Sequence, residues 1–406
     1  MAKPRTSAPR TPSNHTARRS TPGFRRVYFV GAGLSAGIGY PVGSNLMAEL
    51  AAYLKGRIPE RHEEMGFENV LVKDGPQTRS RATELVRVIE TIAKNYLGLP
   101  RHRIHEIDVA EFFTIANTMA DLPIFAVPEN PAAPPTLPAG AGKASFLEEL
   151  AAVIRSYFNE IWDCCELPDD VLSILRNVDL QRHAIINFNW DEELDAAFTE
   201  TLKRDVAYTL EAWKSSPKTA LMLKPHGSIG WYDIKHGLGN EDLTYITDGD
   251  DRIHRSQRRI VSYLEAERPQ EISGIEHPPL ACPPVITPPT FAKRFEYREQ
   301  QLIWQDVLEV CSTATEFVFL GYSMPKDDIL TKAAIRGALI ANPDRSRIHC
   351  LVCDRSFDET KRINFQSVFG DGFSKNNSYF ETTFGDGTAA MGDAIEGALK
   401  RGRLLS

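Results

Sequence analysis

Nowhere in the 406 residues does an apolar run approach the eighteen or so that a membrane span needs. An apolar core of a secretion signal is missing from the start of the chain, so export is not expected. Cysteine is sparse and scattered, at 164, 165, 282, 311, 350 and 353, which excludes a disulfide scaffold in a chain of this size. A reduced, cytoplasmic protein fits better. Cys350-Leu351-Val352-Cys353 has the spacing of half a zinc site, but a second pair is lacking and the flanks read as a buried strand. Two core thiols are therefore expected and no metal. A P-loop is also absent, so any ATPase acting with this chain would be another polypeptide. Acidic residues are missing from the first 26 positions, which carry Lys3, Arg5, Arg10, Arg18, Arg19, Arg25 and Arg26 among Pro, Ser and Thr. Residues 1–25 read as a disordered basic tail, with a transit peptide or a nucleic-acid arm as alternatives.

What is present is ordinary in bulk: 42% hydrophobic and 25% charged residues, enough for a real core. The net charge of −7 argues against direct nucleic-acid binding except through that tail.

The most informative stretch is Val27-Tyr28-Phe29-Val30-Gly31-Ala32-Gly33-Leu34-Ser35-Ala36-Gly37. An apolar strand runs into a glycine turn, and a helix follows. Such a turn is expected to leave backbone N–H groups pointing at open space where a pyrophosphate can bind. An ordinary dehydrogenase would carry an acid about 20 positions on, at a strand end. Glu49 has the distance but lies in helical sequence.

Leu46, Met47, Leu50, Ala51 and Leu54 recur at helical spacing, as do Leu85, Ile89, Ile92 and Tyr96. Leu147, Leu150, Ile154, Tyr157, Phe158 and Ile161 mark another helix, beyond a Pro/Ala/Gly-rich loop at 128–142. Apolar strands are expected at 183–188, 221–224, 316–321 and 347–352, with a helix near 327–340. An edge strand could form within 365–384. The proline-studded stretch of about 233–300 reads as a long surface excursion. The fold class is therefore α/β: a Rossmann-like, doubly wound, mainly parallel sheet spanning 26–406, with a helical insertion at about 50–180.

Four strand ends carry small, polar or titratable residues: Gly31-Ala32-Gly33-Leu34-Ser35, Asn187-Phe188-Asn189-Trp190-Asp191, Lys224-Pro225-His226-Gly227-Ser228 and Gly321-Tyr322-Ser323-Met324. In that order the chain resembles the sirtuin family, and within it the sirtuin-like NAD-cleaving branch of bacterial anti-phage defence. The resemblance implies that Gly31, Ala32, Gly33 and Ser35 hold the NAD pyrophosphate and ribose. It also implies that Asn189 positions the nicotinamide ribose or the attacking water, and that Asp191 contacts the carboxamide. His226 matches the catalytic histidine; Gly321 and Ser323 would line phosphates and ribose, and Asp354 would reach the adenosine ribose. Each position also has a plainer structural use. The glycines could serve any strand–helix turn, Asn189 and Asp191 could cap a helix starting near Glu192, His226 could be a buried histidine bonded to backbone, and Ser323 could belong to a turn before Pro325.

Sirtuin deacylases carry two zinc-binding cysteine pairs after the His-Gly motif, and a Pro-x-Phe-Arg run after the glycine turn. This chain has Pro41-Val42-Gly43-Ser44 and only Cys282 and Cys311 in the corresponding places. The expected activity is therefore hydrolysis of NAD, as substrate, to nicotinamide and ADP-ribose in an NAD-depleting defence effector. An NAD-dependent protein deacylase and a non-catalytic NAD- or ADP-ribose-binding subunit are the alternatives. Relatives of this kind pair with a HerA-type ATPase or another defence partner, and a homo-oligomer is expected.

Overall fold

The computed structural model describes residues 23–54, 76–121, 147, 150–151, 153–155, 157–158, 161, 167–216, 218–233, 246–248, 251–253, 260–262, 284–290, 298–326, 328–370, 377–385 and 390–404. The basic tail up to residue 22, the 128–142 loop and Cys164, Cys165 and Cys282 lie outside them.

In chain order the strands are β1 (Arg26–Val30), β2 (His183–Asn187), β3 (Val206–Ala207), β4 (Ala220–Leu223), β5 (Gly227–Asp233), β6 (Ile246–Asp248), β7 (Asp251–Ile253), β8 (Ile260–Ser262), β9 (Pro284–Ile286), β10 (Glu316–Leu320), β11 (His349–Asp354) and β12 (Asn377–Glu381). The α-helices are α1 (Ala32–Ala36), α2 (Gly43–Leu54), α3 (Pro76–Asn95), α4 (Val109–Asp121), α5 (Asp169–Arg176), α6 (Glu193–Ala196), α7 (Leu210–Ser215), α8 (Arg298–Thr313), α9 (Ile329–Ala341), α10 (Glu359–Phe369) and α11 (Met391–Leu404).

Seven strands form one sheet in the order β12-β11-β10-β1-β2-β4-β3. Every neighbouring pair in it is parallel. From β1 the chain first builds outward through β2 and β4, then crosses to the other side for β10, β11 and β12. The order thus reverses between β1 and β10, which makes the protein a doubly wound, Rossmann-like α/β fold, whose ligand crevice lies beyond the strand carboxyl ends at that reversal.

The central strands β1, β2, β4, β10 and β11 are mainly apolar because both of their faces are covered. Val27, Phe29, Ala184, Ile186, Leu223, Phe317 and Phe319 point to one face, where Trp213 of α7, Ile303 and Val307 of α8, Ile335 of α9 and Phe365 of α10 pack on them. Tyr28, Val30, Ile185, Met222, Val318 and Leu320 point to the other, against Leu50, Ile89, Phe112, Ile154, Val171 and Ile395. The helices between β1 and β2 therefore share one core with the sheet. Leu147, Leu150, Ile154, Tyr157, Phe158 and Ile161 are all helical, as their spacing indicates.

Cys350 and Cys353 both lie on β11, buried. Three positions apart on a strand, they face opposite ways: Cys350 joins one core and Cys353 the other. Two thiols so placed cannot grip one ion, and burial pushes both above the usual thiol range. Cys311 is buried in the core on α8.

Two differences from the sequence reading concern the edges. Arg345–Arg347 form a 3-10 turn, so β11 starts at His349. The 284–290 end of the proline-studded stretch is no surface excursion: β9 pairs antiparallel with β5, Gly227 opposite Ile286 and Ser228 opposite Val285, with Val285 buried. Pro284 is tolerated because it opens a short edge strand. Among the described residues no helix is long and apolar enough to cross a membrane.

Candidate functional site

Register brings the strand ends level. Val30 pairs with both Leu320 and Asn187, and Leu320 pairs with Cys353. The next residue on each strand, Gly31, Phe188, Gly321 and Asp354, therefore enters one rim above the sheet.

At the reversal point the two glycine turns touch. A Cβ built at Gly31 would lie 2.8 Å from the Gly321 carbonyl oxygen and from Tyr322 Cα. Gly321 has φ +60°, and a Cβ there would lie 2.2 Å from Leu34 N. Neither position accepts another residue without moving the backbone. This contact also corrects the sequence reading of free amides. Gly31 N donates to Leu320 O (3.0 Å), Gly33 N to Gly321 O (2.9 Å) and Leu34 N to Gly31 O (3.0 Å). The turn's N–H groups are thus largely spent on the fold, and α1 is only five residues long. Ala32 stands exposed on the rim, and Gly33 is half-buried.

Ser35, Asn189 and Asp191 meet beneath that turn. Asn189 Nδ2 donates to Gly31 O at 3.0 Å and to Ser35 Oγ at 2.7 Å. Ser35 Oγ donates in turn to Asp191 Oδ2 at 2.7 Å. Asn187 Oδ1 accepts the Asn189 backbone N–H at 3.0 Å, which fixes the bend after β2. Asp191 is not a strong helix cap: α6 starts at Glu193, and the Glu193 N to Asp191 Oδ1 contact is long, at 3.4 Å.

His226 reaches the same rim from the end of β4. Its ring lies 4.9 Å, centroid to centroid, from that of Phe188, the chain neighbour of Asn189. The imidazole is half-buried, whereas Phe188, Trp304 and Tyr322 around it are buried. Its carbonyl oxygen accepts from Thr287 N at 2.7 Å. Gly227 follows at φ +77°, where a Cβ would stand 2.0 Å from Val285 O. The chain at 226 is thus pinned by β9 and Thr287, while the residue keeps part of its surface exposed.

Ser323 is half-buried on the connection after Gly321, next to Met324 at φ +52°. Asp354 ends β11, and its carboxylate pairs with Lys361 Nζ of α10 at 2.9 Å. The structure therefore gathers Gly31, Gly33, Ser35, Asn189, Asp191 and Gly321 into one contact network with His226 beside it. Asp354 is one strand further out and already engaged. Glu49 is helical, as its surroundings indicate.

Behind the rim lies a buried ionic layer that sequence reasoning passed over. Asp191, Glu192, Glu193 and Asp195 are all buried, and so is Lys224. Lys224 Nζ donates to Asp191 O at 2.7 Å and to Asp195 Oδ2 at 3.1 Å. Tyr208 OH donates to the other Asp195 oxygen at 2.7 Å, and Tyr40 OH to Glu193 Oε1 at 2.8 Å. Burial pushes the Asp191 carboxyl above the usual range, raises Glu193 to about 7 and raises Glu192 to about 8, with Lys224 opposing the shift at Glu192. Glu192 Oε1 has no hydrogen-bond partner. The signal was there: four acids in five residues directly after an apolar strand, and a lysine closing another. Among the described residues no group of three or more His, Cys, Asp or Glu is placed to hold a metal ion.

By topology and rim this is a doubly wound α/β protein with a polar, histidine-edged site where the strand order reverses. No protein-family model and no curated protein matches the chain. Solved structures do match. One is a Sir2 in complex with the inhibitor EX-527, 2'-O-acetyl-ADP-ribose and a deacetylated p53 peptide, 12% identical, covering 92% of this chain and 94% of that one at a TM-score of 0.30. Likeness at that level bears nothing on the chemistry of this chain.

Proposed function

We propose that this chain is an NAD hydrolase, converting NAD and water to nicotinamide, ADP-ribose and a proton. The observation that carries the reading is the convergence of Asn189, Ser35 and Asp191 under the 31–35 turn, with the His226 ring one residue away on Phe188. It lies where a doubly wound sheet receives dinucleotides.

The residues fit the chemistry. Loss of nicotinamide leaves an oxocarbenium-like ribose and requires one nucleophile in place, little bulk water and a group to take its proton. Asn189 spends Nδ2 on Gly31 and Ser35, so Oδ1 is its acceptor for a ribose hydroxyl or the attacking water. His226, half-buried at the rim, takes the proton, a contribution of order 10²–10⁴ in rate. Ser35 and Asp191 hold Asn189 in orientation. Gly33, Ala32, Gly321 and Ser323 line the dinucleotide, and Asp354 marks the outer end of the crevice.

The sequence motifs support a role as an NAD-depleting effector of anti-phage defence. Unchecked NAD loss harms the host, so homo-oligomerisation or a partner such as a HerA-type ATPase would gate it.

The test is chromatographic analysis of NAD incubated with the purified protein, alone and with the products of its neighbouring genes. Nicotinamide and ADP-ribose are expected, and His226→Ala and Asn189→Ala should each abolish their release while remaining folded. NAD consumption only in the presence of acyl-lysine peptide would replace the reading by a deacylase. Tight binding of NAD that stays intact would replace it by a non-catalytic subunit. Normal turnover by both variants would overturn the site.

A further inference from the structure

Helix α8 follows the long 233–297 stretch and carries none of the four strand-end motifs, yet two of its buried residues converge on His226. Gln300 and Trp304 are four positions apart, hence on one helix face, and each is buried. Gln300 Nε2 donates to Thr287 Oγ1 at 2.9 Å. Thr287 in turn donates its backbone N–H to the His226 carbonyl oxygen at 2.7 Å. The Trp304 ring lies 6.2 Å from the His226 ring and 6.5 Å from Phe188, which itself lies 4.9 Å from His226, so the three rings form one cluster. One helix face thus holds His226 twice, through its backbone and through its ring.

We infer that Gln300 and Trp304 are positioning residues for His226, fixing the imidazole against Phe188, the chain neighbour of Asn189. The inference rests on the proposed hydrolase reading for its catalytic consequence but not for its geometry. A buried glutamine tied to the Thr287 hydroxyl fixes where the His226 backbone lies, and a ring packed against a pair of buried aromatic rings loses rotamer freedom. A catalytic group left to wander by about 1 Å loses on the order of a hundredfold in rate.

Two measurements separate this inference from the hydrolase reading. The first needs no NAD: the rate at which diethyl pyrocarbonate modifies residue 226, read by peptide mass spectrometry on the full chain. Trp304→Leu and Gln300→Met should each raise that rate severalfold, and Trp304→Phe should restore it to near the parent value. The second is kinetic: Trp304→Leu should lower kcat about ten- to a hundredfold with KM nearly unchanged, and Trp304→Phe should recover most of it. Should Trp304→Leu fail to fold, Gln300→Met and Thr287→Val carry both measurements. Faster modification in the variants, with a parent that leaves NAD intact, would support the positioning and overturn the hydrolase. An unchanged modification rate in the folded Trp304 and Gln300 variants overturns the positioning, whatever happens to NAD.

Discussion

Glu192 occupies the space that a side chain at residue 230 would need: a Cβ built on Gly230 would stand 1.8 Å from Glu192 Oε1. The two residues come from different segments of the rim. Glu192 follows the Asn189–Asp191 bend, and Gly230 lies on β5, which leaves His226 directly.

Gly230→Ala should therefore destabilise the protein by about 1–3 kcal/mol, the usual cost of overpacking a filled interior. Denaturant unfolding checks this. Combining it with Glu192→Ala, which vacates the space, should recover part of the loss, and strict additivity would refute the contact.

The same carboxyl makes stability depend on pH. Burial holds Glu192 protonated up to about 8, against 4.5 for the free group; Lys224 and the Ser228 hydroxyl pull it down, and Asp195 and Asp191 push it further up. The folded state thus keeps a proton that the unfolded chain releases, so this group's contribution to stability is full below about 4.5 and is lost as pH rises through 8. Glu192→Gln removes that dependence. The gap between variant and parent should open from acid to alkaline pH and level off above 8, at on the order of a few kcal/mol. Paired melts across that range test it, and because Glu193 is common to both proteins its own titration cancels in the difference.

Lys224 and Asp195 are fully buried and bonded to each other. Lys224→Met strands the Asp195 carboxylate and should cost about 3–5 kcal/mol. Replacing both, Lys224→Met with Asp195→Leu, should regain most of that, with the Tyr208 hydroxyl and the Asp191 carbonyl each losing one hydrogen bond. A double-mutant cycle in urea measures the coupling.

Ser35 links Asn189 to Asp191 through a single oxygen. Ser35→Ala leaves the Asn189 amide with one acceptor and frees a buried carboxyl. Under the hydrolase reading, kcat should fall about ten- to a hundredfold with a much smaller change in KM, and Ser35→Thr should restore part of it.

Much of this was written locally. β1, β2, β4, β10 and β11 are mainly apolar runs; α2 and α3 sit where the spacing puts them except that Tyr96 falls just past α3 and is exposed, and the spaced residues at 147–161 are helical. The candidate residues Asn189, Ser35 and Gly31 were recognisable because polar groups follow each apolar run. What escaped depends on distant partners. Gly227–Asp233 is not among the strands expected from the sequence, and it is one because β9 and β8 pair with it on either side. The turn amides at 31 and 33 look available until Leu320 and Gly321 take them. The acids at 191–195 resemble a solvated helix start, and only the arrival of Lys224, Tyr208 and Tyr40 explains their burial.

The opposed thiols of β11 have an experimental use. Cys350 belongs to the layer built by α8, α9 and α10, and Cys353 to the layer containing α2, α3 and α5. Each becomes alkylatable only when its own layer lifts off the sheet. A single strand therefore carries two separate clocks, one for each half of the molecule, readable in one labelling time course without adding a probe.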